Sequence, residues 1–417
     1  MLILGIETSC DETAAAVVRD GREILSNVVV SQIDIFAEYG GVIPEVAARS
    51  HLEAIMPVID KALSDASCTW NEIDAIAVTH APGLLGSLLI GTLTARTLAI
   101  LHNKPLYAVH HLKSHVYANW LLPQEKTEPA ACPSGPAPKP LQAKSSRPVE
   151  HLAGSASSSI NLPQFPLLAL VVSGGHTQIL YMTGHNQFEI IGTTHDDAVG
   201  ECFDKVAKIL GLPYPGGPSI ARAALGETAM FHSEPRPSGP SPWADGANSR
   251  AAALRNAPSE STAVSPGDSN RYRLPHPKVE GLDFSFSGLK TAVLRAVQKE
   301  VGVPISYPSH KLKELLTPQQ VADFAASFQK TAVDILCEKL TLAMNSGREV
   351  QSVVLAGGVS ANKVLREALP EAYFPAPELS GDNGAMVAAA CYYEIISGVQ
   401  PTDPYKLNIY PRVSIES

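Results

Sequence analysis

Two segments of the 417-residue chain follow one plan. LILGIETSCDETAAAVV at 2–18 and LLALVVSGGHTQILYM at 167–182 are each an apolar run, a short polar turn and a second apolar run. Apolar runs of this length bounded by turn residues form buried strands, so each segment predicts a strand–turn–strand unit. A sheet built on such a unit needs a covering layer. The chain supplies it as helical runs after further strands: SLLIGTLTARTLAIL follows AIAVTH, and SANKVLREAL follows SVVLAGG. The class is therefore α/β, with one unit used twice and a lobe built on each. Single cores stop growing at roughly 250–300 residues, which also favours two lobes here. The first lobe reads as 1–120, completed by about 383–417, and the second as 165–382. Lobes that face each other leave a central cleft, the default place for a ligand.

Two stretches break the pattern, 121–164 with EKTEPAACPSGPAPKPLQAKSSRP and 231–279 with SEPRPSGPSPWADGANSR. Both are rich in Pro, Ser, Ala and Gly and bury little apolar surface, so they are expected to be mobile inserts. The six cysteines (Cys10, Cys68, Cys132, Cys202, Cys337, Cys391) are scattered without a Cys-x-x-Cys pair. They read as reduced thiols, not as a disulfide framework or a sulfur-ligated zinc site. A net charge of −9 excludes a dominant basic face, so nucleic acid would have to be bound through a local patch or with a partner's help. Hydrophobic residues at 45% and charged residues at 18% are ordinary for a globular chain. No apolar run approaches the roughly 20 residues of a membrane helix, and MLILGIETSCDET carries no sign of a signal or transit peptide. The expectation is a soluble, cytoplasmic protein without a membrane partner.

The chemistry-bearing residues concentrate in a few motifs. In AVHHLKSHVYA, His111 and His115 lie four apart and share a helix face, as a metal pair requires. A partly exposed helix turn has the same spacing, and the glutamate of the His-Glu-x-x-His protease helix is missing, so the pair needs a third ligand. Asp382, in ELSGDNGAMVAAACYY, is either the N-cap of a small-residue helix or that ligand. Two histidines and one carboxylate with open positions suit Fe(II) or Zn(II). Ser173-Gly174-Gly175-His176-Thr177 follows a buried strand, and Gly357-Gly358 runs into a helix beginning near Ser360. Such turns bring backbone N–H groups close to an anion, though a Gly-Gly pair also makes a plain hairpin. LPYPGGPSIA at 212–221 is a third turn of this kind. Neither a P-loop nor a Rossmann fingerprint accompanies them. Acidic residues cluster as Glu7, Asp11 and Glu12 in the first repeated unit and as Asp196, Asp197, Glu201 and Asp204 in the second lobe. Near phosphates such groups hold a cation, orient water or bond a ribose; singly they are more often caps or solvated faces.

Taken in order, GIETSCDET, SQIDIFAEYGGVIPEVAARSH, APGLLGSLLIGT, HHLKSH, VSGGHTQIL, FDKVAKILGLPYPGGPSI, FSFSGLKTAV, GGVSANKVLR and DNGAM resemble the bacterial TsaD family of tRNA threonylcarbamoyladenosine synthesis proteins. The likeness covers nearly the whole chain outside the two inserts. It implies an actin/Hsp70/hexokinase-like (ASKHA) fold with two duplicated lobes. It also implies transfer of threonylcarbamoyl from threonylcarbamoyl-AMP to N6 of adenosine 37, in tRNAs reading ANN codons, with release of AMP. The family's metal ligands fall on His111, His115 and Asp382, for one divalent ion with Fe(II) favoured and Zn(II) as the alternative. Its substrate-binding positions fall on Val171, Val172, Ser173, Gly174, Gly175, Asp204, Gly217 and Asn362, and Asp11 and Glu12 are the acids expected to serve catalysis. Implied partners are tRNA, a TsaB-like inactive paralogue and a TsaE-like ATPase, with the adenylate supplied by a TsaC-like enzyme. Where the family has Cys-Thr-Asp-Asn, this chain has Ser380-Gly381-Asp382-Asn383, and its inserts are longer than in most bacterial relatives.

Rival readings differ in what they need. A sugar or acetate kinase of this fold has no use for the histidine pair. Carbamoyltransferases of the hydrogenase-maturation or antibiotic type carry extra domains, a non-catalytic paralogue lacks the histidines, and a glycoprotease would need the absent zinc motif.

Overall fold

A computed structural model describes residues 1–122, 162–227 and 264–416. In the first lobe, β1 (Leu2–Glu7), β2 (Glu12–Arg19) and β3 (Glu23–Ser31) form an antiparallel meander, followed by α1 (Ile33–Tyr39) and α2 (Pro44–Asp65). β4 (Ala75–Ala81), α3 (Leu85–His102), β5 (Leu106–His110) and α4 (His111–Tyr117) come next, giving the sheet order β3-β2-β1-β4-β5. The second lobe begins with β6 (Leu167–Val172), β7 (Thr177–Gly184) and β8 (Gln187–Thr193) as a second meander. The helices α5 (Val199–Leu210), α6 (Gly216–Ala224), α7 (Ser287–Glu300) and α8 (Pro318–Met344) lead to β9 (Ser352–Ala356), and the order is β8-β7-β6-β9. Two further helices close the chain, α9 (Lys363–Ala368) and α10 (Gly384–Ile396).

β1 and β6 hold equivalent places. Each has an antiparallel hairpin partner on one side, with Leu4 opposite Val17 and Leu170 opposite Ile179. Each has a parallel partner on the other, with Gly5 opposite Ala77 and Ala169 opposite Val354. This is the duplicated actin/Hsp70/hexokinase-like plan, and the two repeated sequence segments are its central hairpins.

Strand side chains alternate between faces, and here both faces are buried, which is why the strands read as unbroken apolar runs. Leu4 and Ile6 pack outward against α2 and α3, whereas Ile3 joins the inner core. In the second sheet Leu168, Leu170 and Val172 face α5 and α8, while Leu167, Ala169 and Val171 turn inward to that same inner core. One apolar cluster is therefore shared by both sheets, and α4 and α10 are embedded in it through Leu112, Val116 and Tyr117 and through Ala385–Cys391. Small residues let α10 approach β1 at backbone distance. A Cβ placed on Gly5 would lie 2.2 Å from the Gly384 carbonyl oxygen and 2.7 Å from the Ala388 nitrogen.

Three sequence expectations need revision. Residues 264–279, assigned to a mobile insert, pack on α8: the backbone N–H of Asp268 donates to Asp323 at 2.9 Å, and Tyr272 stacks on Phe324 at 3.6 Å between ring centroids. Similarly, Leu121 is buried and Gln164 N–H donates to Ser352 Oγ, so both edges of the first stretch belong to the packed body. The rest of the two inserts, 123–161 and 228–263, lies outside the described residues. Finally, α3 is an 18-residue helix whose length and apolarity match a membrane span, contrary to the reading that no run comes near one. Its inner face packs through Ala95, Leu98 and Ala99 on the first sheet, and Leu85, Leu89 and Leu93 are exposed. Among the described residues the five cysteines are free thiols, as expected.

The contact between β1 and α10 yields a test. Gly5→Ala is expected to lower unfolding free energy by about 2–3 kcal/mol, the cost of overpacking a filled core, measured by denaturant titration. A shift in midpoint too small to resolve would mean that α10 slides away from β1 without penalty.

Candidate metal centre

The centre is assembled by two helix starts. α4 begins where β5 ends, so His111 is its first residue and His115 follows one turn later, with ring centroids 4.5 Å apart. Both imidazoles are buried because the helix lies inside the inter-sheet core. At the start of α10 the N-cap is Asn383, whose Oδ1 accepts the Met386 N–H at 3.0 Å and whose Nδ2 donates to Leu379 and Gly381 carbonyls. With the cap already filled, Asp382 is free to turn toward α4. Its Oδ1 lies 3.1 Å from His115 Nε2 and 3.6 Å from His111 Nε2. One ligand atom from each of the three residues lies within 4.8 Å of the others.

The donor set fits a divalent ion. His115 Nε2 approaches Asp382 without hydrogen-bond alignment, its Nδ1 has no partner, and both atoms are buried. Leaving buried polar nitrogens unmade costs on the order of 1–3 kcal/mol each, which an ion between His115 and Asp382 would offset. Two imidazoles and one carboxylate match Fe(II) or Zn(II) with open positions.

Opposing forces set the charges. Burial works against ionised Asp382, yet the neighbouring His111 holds its carboxyl down to about 2. Burial likewise disfavours the His111 cation, but Asp382 and then Glu7 raise it to about 9. Glu7 behaves as Asp382 does: burial opposes its charge, and His111 more than offsets this. His176 is pushed down to about 4, first by burial and then by the His111 and His115 imidazoles. It is therefore a neutral ring in the neighbourhood of the histidine pair.

The acidic turn after β1 is held from behind. His51 of α2 sits between Thr13 Oγ1, 2.8 Å from its Nδ1, and the Cys10 carbonyl, 3.0 Å from its Nε2. Burial raises the carboxyl groups of both Asp11 and Glu12, with the charge of Asp382 adding to the effect. Asp204 on α5 accepts the Gly216 N–H at 2.7 Å and is pushed up to about 6, by burial and then by Asp11. Asp11 and Asp204 thus act on each other from the two lobes.

The expected substrate positions divide. Val171 and Val172 are fully buried strand residues whose side chains belong to the core, leaving the turn beyond them as the accessible surface. That turn is Ser173-Gly174-Gly175, with open space where a Cβ of either glycine would point. Gly217 is likewise open, within the first turn of α6. Asn362 differs: its Oδ1 caps α9 by accepting from Val364 and Leu365, and its Nδ2 donates to Gln329 at 3.0 Å. The helix expected from Ser360 starts at Lys363, after a 3-10 turn over Gly358–Ala361. Sequence reasoning missed Glu7 and Ser9 as neighbours of His111, Thr79 as the partner of Glu7, His176 as a group coupled to the histidine pair and His51 as the brace of the acidic turn. His176 and Glu7 both lie inside quoted motifs, which was the available signal.

Comparison with known proteins identifies relatives over almost the whole chain. The TsaD family model, described as tRNA N6-adenosine threonylcarbamoyltransferase, matches residues 23–135, 142–255 and 247–389. The chain is 42% identical over 408 residues to the tRNA N6-adenosine threonylcarbamoyltransferase of Symbiobacterium thermophilum, covering 96% of this chain and 93% of the relative. It is 38% identical over 425 residues to the protein of that name from Caldicellulosiruptor saccharolyticus, covering 100% and 99%.

A pH dependence follows from His111, raised to about 9 from an ordinary 6.5. Between those values the folded chain keeps a proton that the unfolded chain has released, so stability falls as pH rises through the interval. Chelator-treated protein is expected to lose up to about 1.4 kcal/mol of unfolding free energy per pH unit there, by denaturant titration. A flat profile would mean that Glu7 and Asp382 do not hold His111 as a cation.

Proposed function

The chain belongs to the TsaD family of tRNA N6-adenosine threonylcarbamoyltransferases, and we propose that it transfers threonylcarbamoyl from threonylcarbamoyl-AMP to N6 of adenosine 37, in tRNAs reading ANN codons. The acceptor amine attacks the carbamoyl carbon, the bond from that carbon to the phosphate oxygen breaks, AMP leaves, and the amine proton passes to the protein or solvent. His111, His115 and Asp382 would hold a divalent ion, Fe(II) favoured over Zn(II), which would supply Lewis-acid charge to polarise the acyl phosphate. The observation that carries this reading is the triad itself, with His115 buried, its Nε2 turned to Asp382 and its Nδ1 without a hydrogen-bond partner among the described residues.

The chain's own groups cover the remaining needs. Backbone N–H groups of Gly174 and Gly175, unobstructed by side chains, suit the AMP phosphate, and the amino end of α6 near Gly217 offers further donors and a positive dipole. Asp204, pushed up to about 6 first by burial, is suited to receive a proton near neutral pH, and burial raises Asp11 in the same direction. Asp11 and Glu12 remain the first choices for the amine proton.

Partners follow the same reading. The net charge of −9 favours tRNA binding shared with other proteins. Leu52 and Met56 of α2, with Leu85 and Leu89 of α3, form an exposed apolar face suited to a TsaB-like paralogue. A TsaE-like ATPase and a TsaC-like source of the adenylate complete the set, and we read the site of action as the cytoplasm.

The test is transfer of labelled threonylcarbamoyl from the adenylate to unmodified ANN-decoding tRNA, with the partner proteins present. His115→Ala is expected to reduce turnover on the order of 100-fold, the scale on which losing one charge-stabilising element acts. Transfer by the His115→Ala protein at the wild-type rate would remove the metal from the reaction; no transfer by metal-loaded wild type would redirect the search to another acceptor.

A further inference from the structure

Glu7 closes β1 with 0% of its surface exposed, so it touches no substrate. A buried carboxylate is tolerated only when its oxygens are fully partnered. Here Oε1 accepts the Ser9 N–H at 2.5 Å, and Oε2 accepts the Thr79 hydroxyl at 2.6 Å and faces His111 Nδ1 at 3.1 Å. Thr79 comes from β4 and His111 from α4, so one side chain ties three elements of the first lobe at the centre's edge.

The contact with His111 has a chemical consequence. To hold an ion, His111 must give up one of the two protons of its cationic form, and the nitrogen beside a hydrogen-bonding carboxylate is the one that keeps its N–H. That leaves Nε2 with its lone pair, and Nε2 is the atom turned toward Asp382, at 3.6 Å. His115 has no such support, since its Nδ1 is without a partner. The orienting group therefore acts on one histidine of the pair.

We propose that Glu7 is the positioning residue of the metal centre: by accepting the Nδ1–H of His111 it fixes the tautomer and ring orientation that present Nε2 to a divalent ion, and so sets the centre's affinity. This rests on the reading of His111, His115 and Asp382 as a metal site. Outer carboxylates of this kind typically contribute 10- to 100-fold in affinity. A purely structural alternative exists, in which Glu7 only ties β1 to β4 through Thr79. Thr79→Val removes that tie and leaves the imidazole contact.

The experiment uses the full chain, stripped with chelator and titrated with Zn(II) against a chromophoric competitor at fixed pH. Glu7→Gln is expected to bind Zn(II) about 10- to 100-fold more weakly than wild type, whereas Thr79→Val binds normally even if its thermal midpoint falls. Wild-type affinity in a folded Glu7→Gln protein overturns the proposal, and so does an equal loss in Thr79→Val. Should Glu7→Gln not fold, nitrogen-15 NMR of the wild-type imidazoles decides: a proton on His111 Nδ1 with Zn(II) at Nε2 supports the assignment, and the reverse ends it. If wild type binds Zn(II) no better than His115→Ala, the triad is not a metal site, and the proposal falls with it.

Discussion

The inner faces of the two sheets close on one apolar core, and everything functional hangs on the two helices inside it. α4 contributes Leu112, Val116 and Tyr117 to that core and α10 contributes Ala385 to Cys391. Because α10 is built from small residues, attraction there comes from close approach and not from large side chains. The glycines at Gly5 and Gly384 permit it: a Cβ on Gly384 would lie 2.5 Å from the Ala16 nitrogen. Packing of this kind fixes the starts of α4 and α10 relative to each other. His111 and Asp382, which lie at those starts, are therefore placed by the core and not by a flexible loop.

The same burial makes the centre electrostatically demanding. Charged groups in a dry site cost several kcal/mol each unless they are paired, and pairs at about 4 Å recover roughly 4 kcal/mol at the effective dielectric of protein sites. Glu7 and Asp382 approach His111 from its two ring nitrogens, at 3.1 Å and 3.6 Å. Each carboxylate justifies the imidazole's charge and is in turn kept ionised by it, which is why burial loses to the neighbour in all three groups. Farther out, the acids pull the other way. Among the described residues Asp11, Glu12 and Asp204 have no cation of comparable closeness, so burial and the neighbouring acids raise them. Firmly anionic carboxylates thus stand at the metal centre and more readily protonated ones beyond it.

Local signals carried much of this into the sequence. The duplicated hairpins were legible because buried strands are apolar without interruption, and His111 and His115 because a helix turn returns every fourth residue to one face. What escaped was non-local. Glu7 meets Thr79 and His111 across 72 and 104 residues of sequence, a separation that no periodicity encodes. Asp382 could be read as either cap or ligand until the structure gave the cap to Asn383. Residues 264–279 have the composition of a mobile segment, yet a Cβ on Gly267 would lie 2.0 Å from the Ala322 carbonyl oxygen, so the segment is seated against α8. Composition reports how much apolar surface a stretch owns, not whether a neighbour has room for it.

The family's Cys-Thr-Asp-Asn, replaced here by Ser380-Gly381-Asp382-Asn383, tests how the ligand is held. Arg366 donates from Nε to the Ser360 carbonyl and from Nη2 to the Pro375 carbonyl and Ser380 Oγ, so Ser380 is tied to the turn after β9. Gly381 gives its carbonyl to Asn383 Nδ2 at 2.8 Å, and a Cβ there would meet open space. The residues on either side of Asp382 are thus anchored by their backbone or by a hydroxyl. Position 381 requires no side chain at all. The departure falls where the structure tolerates change, and the carboxylate keeps its place because the Asn383 cap and the α10 packing, both beyond the altered pair, determine it.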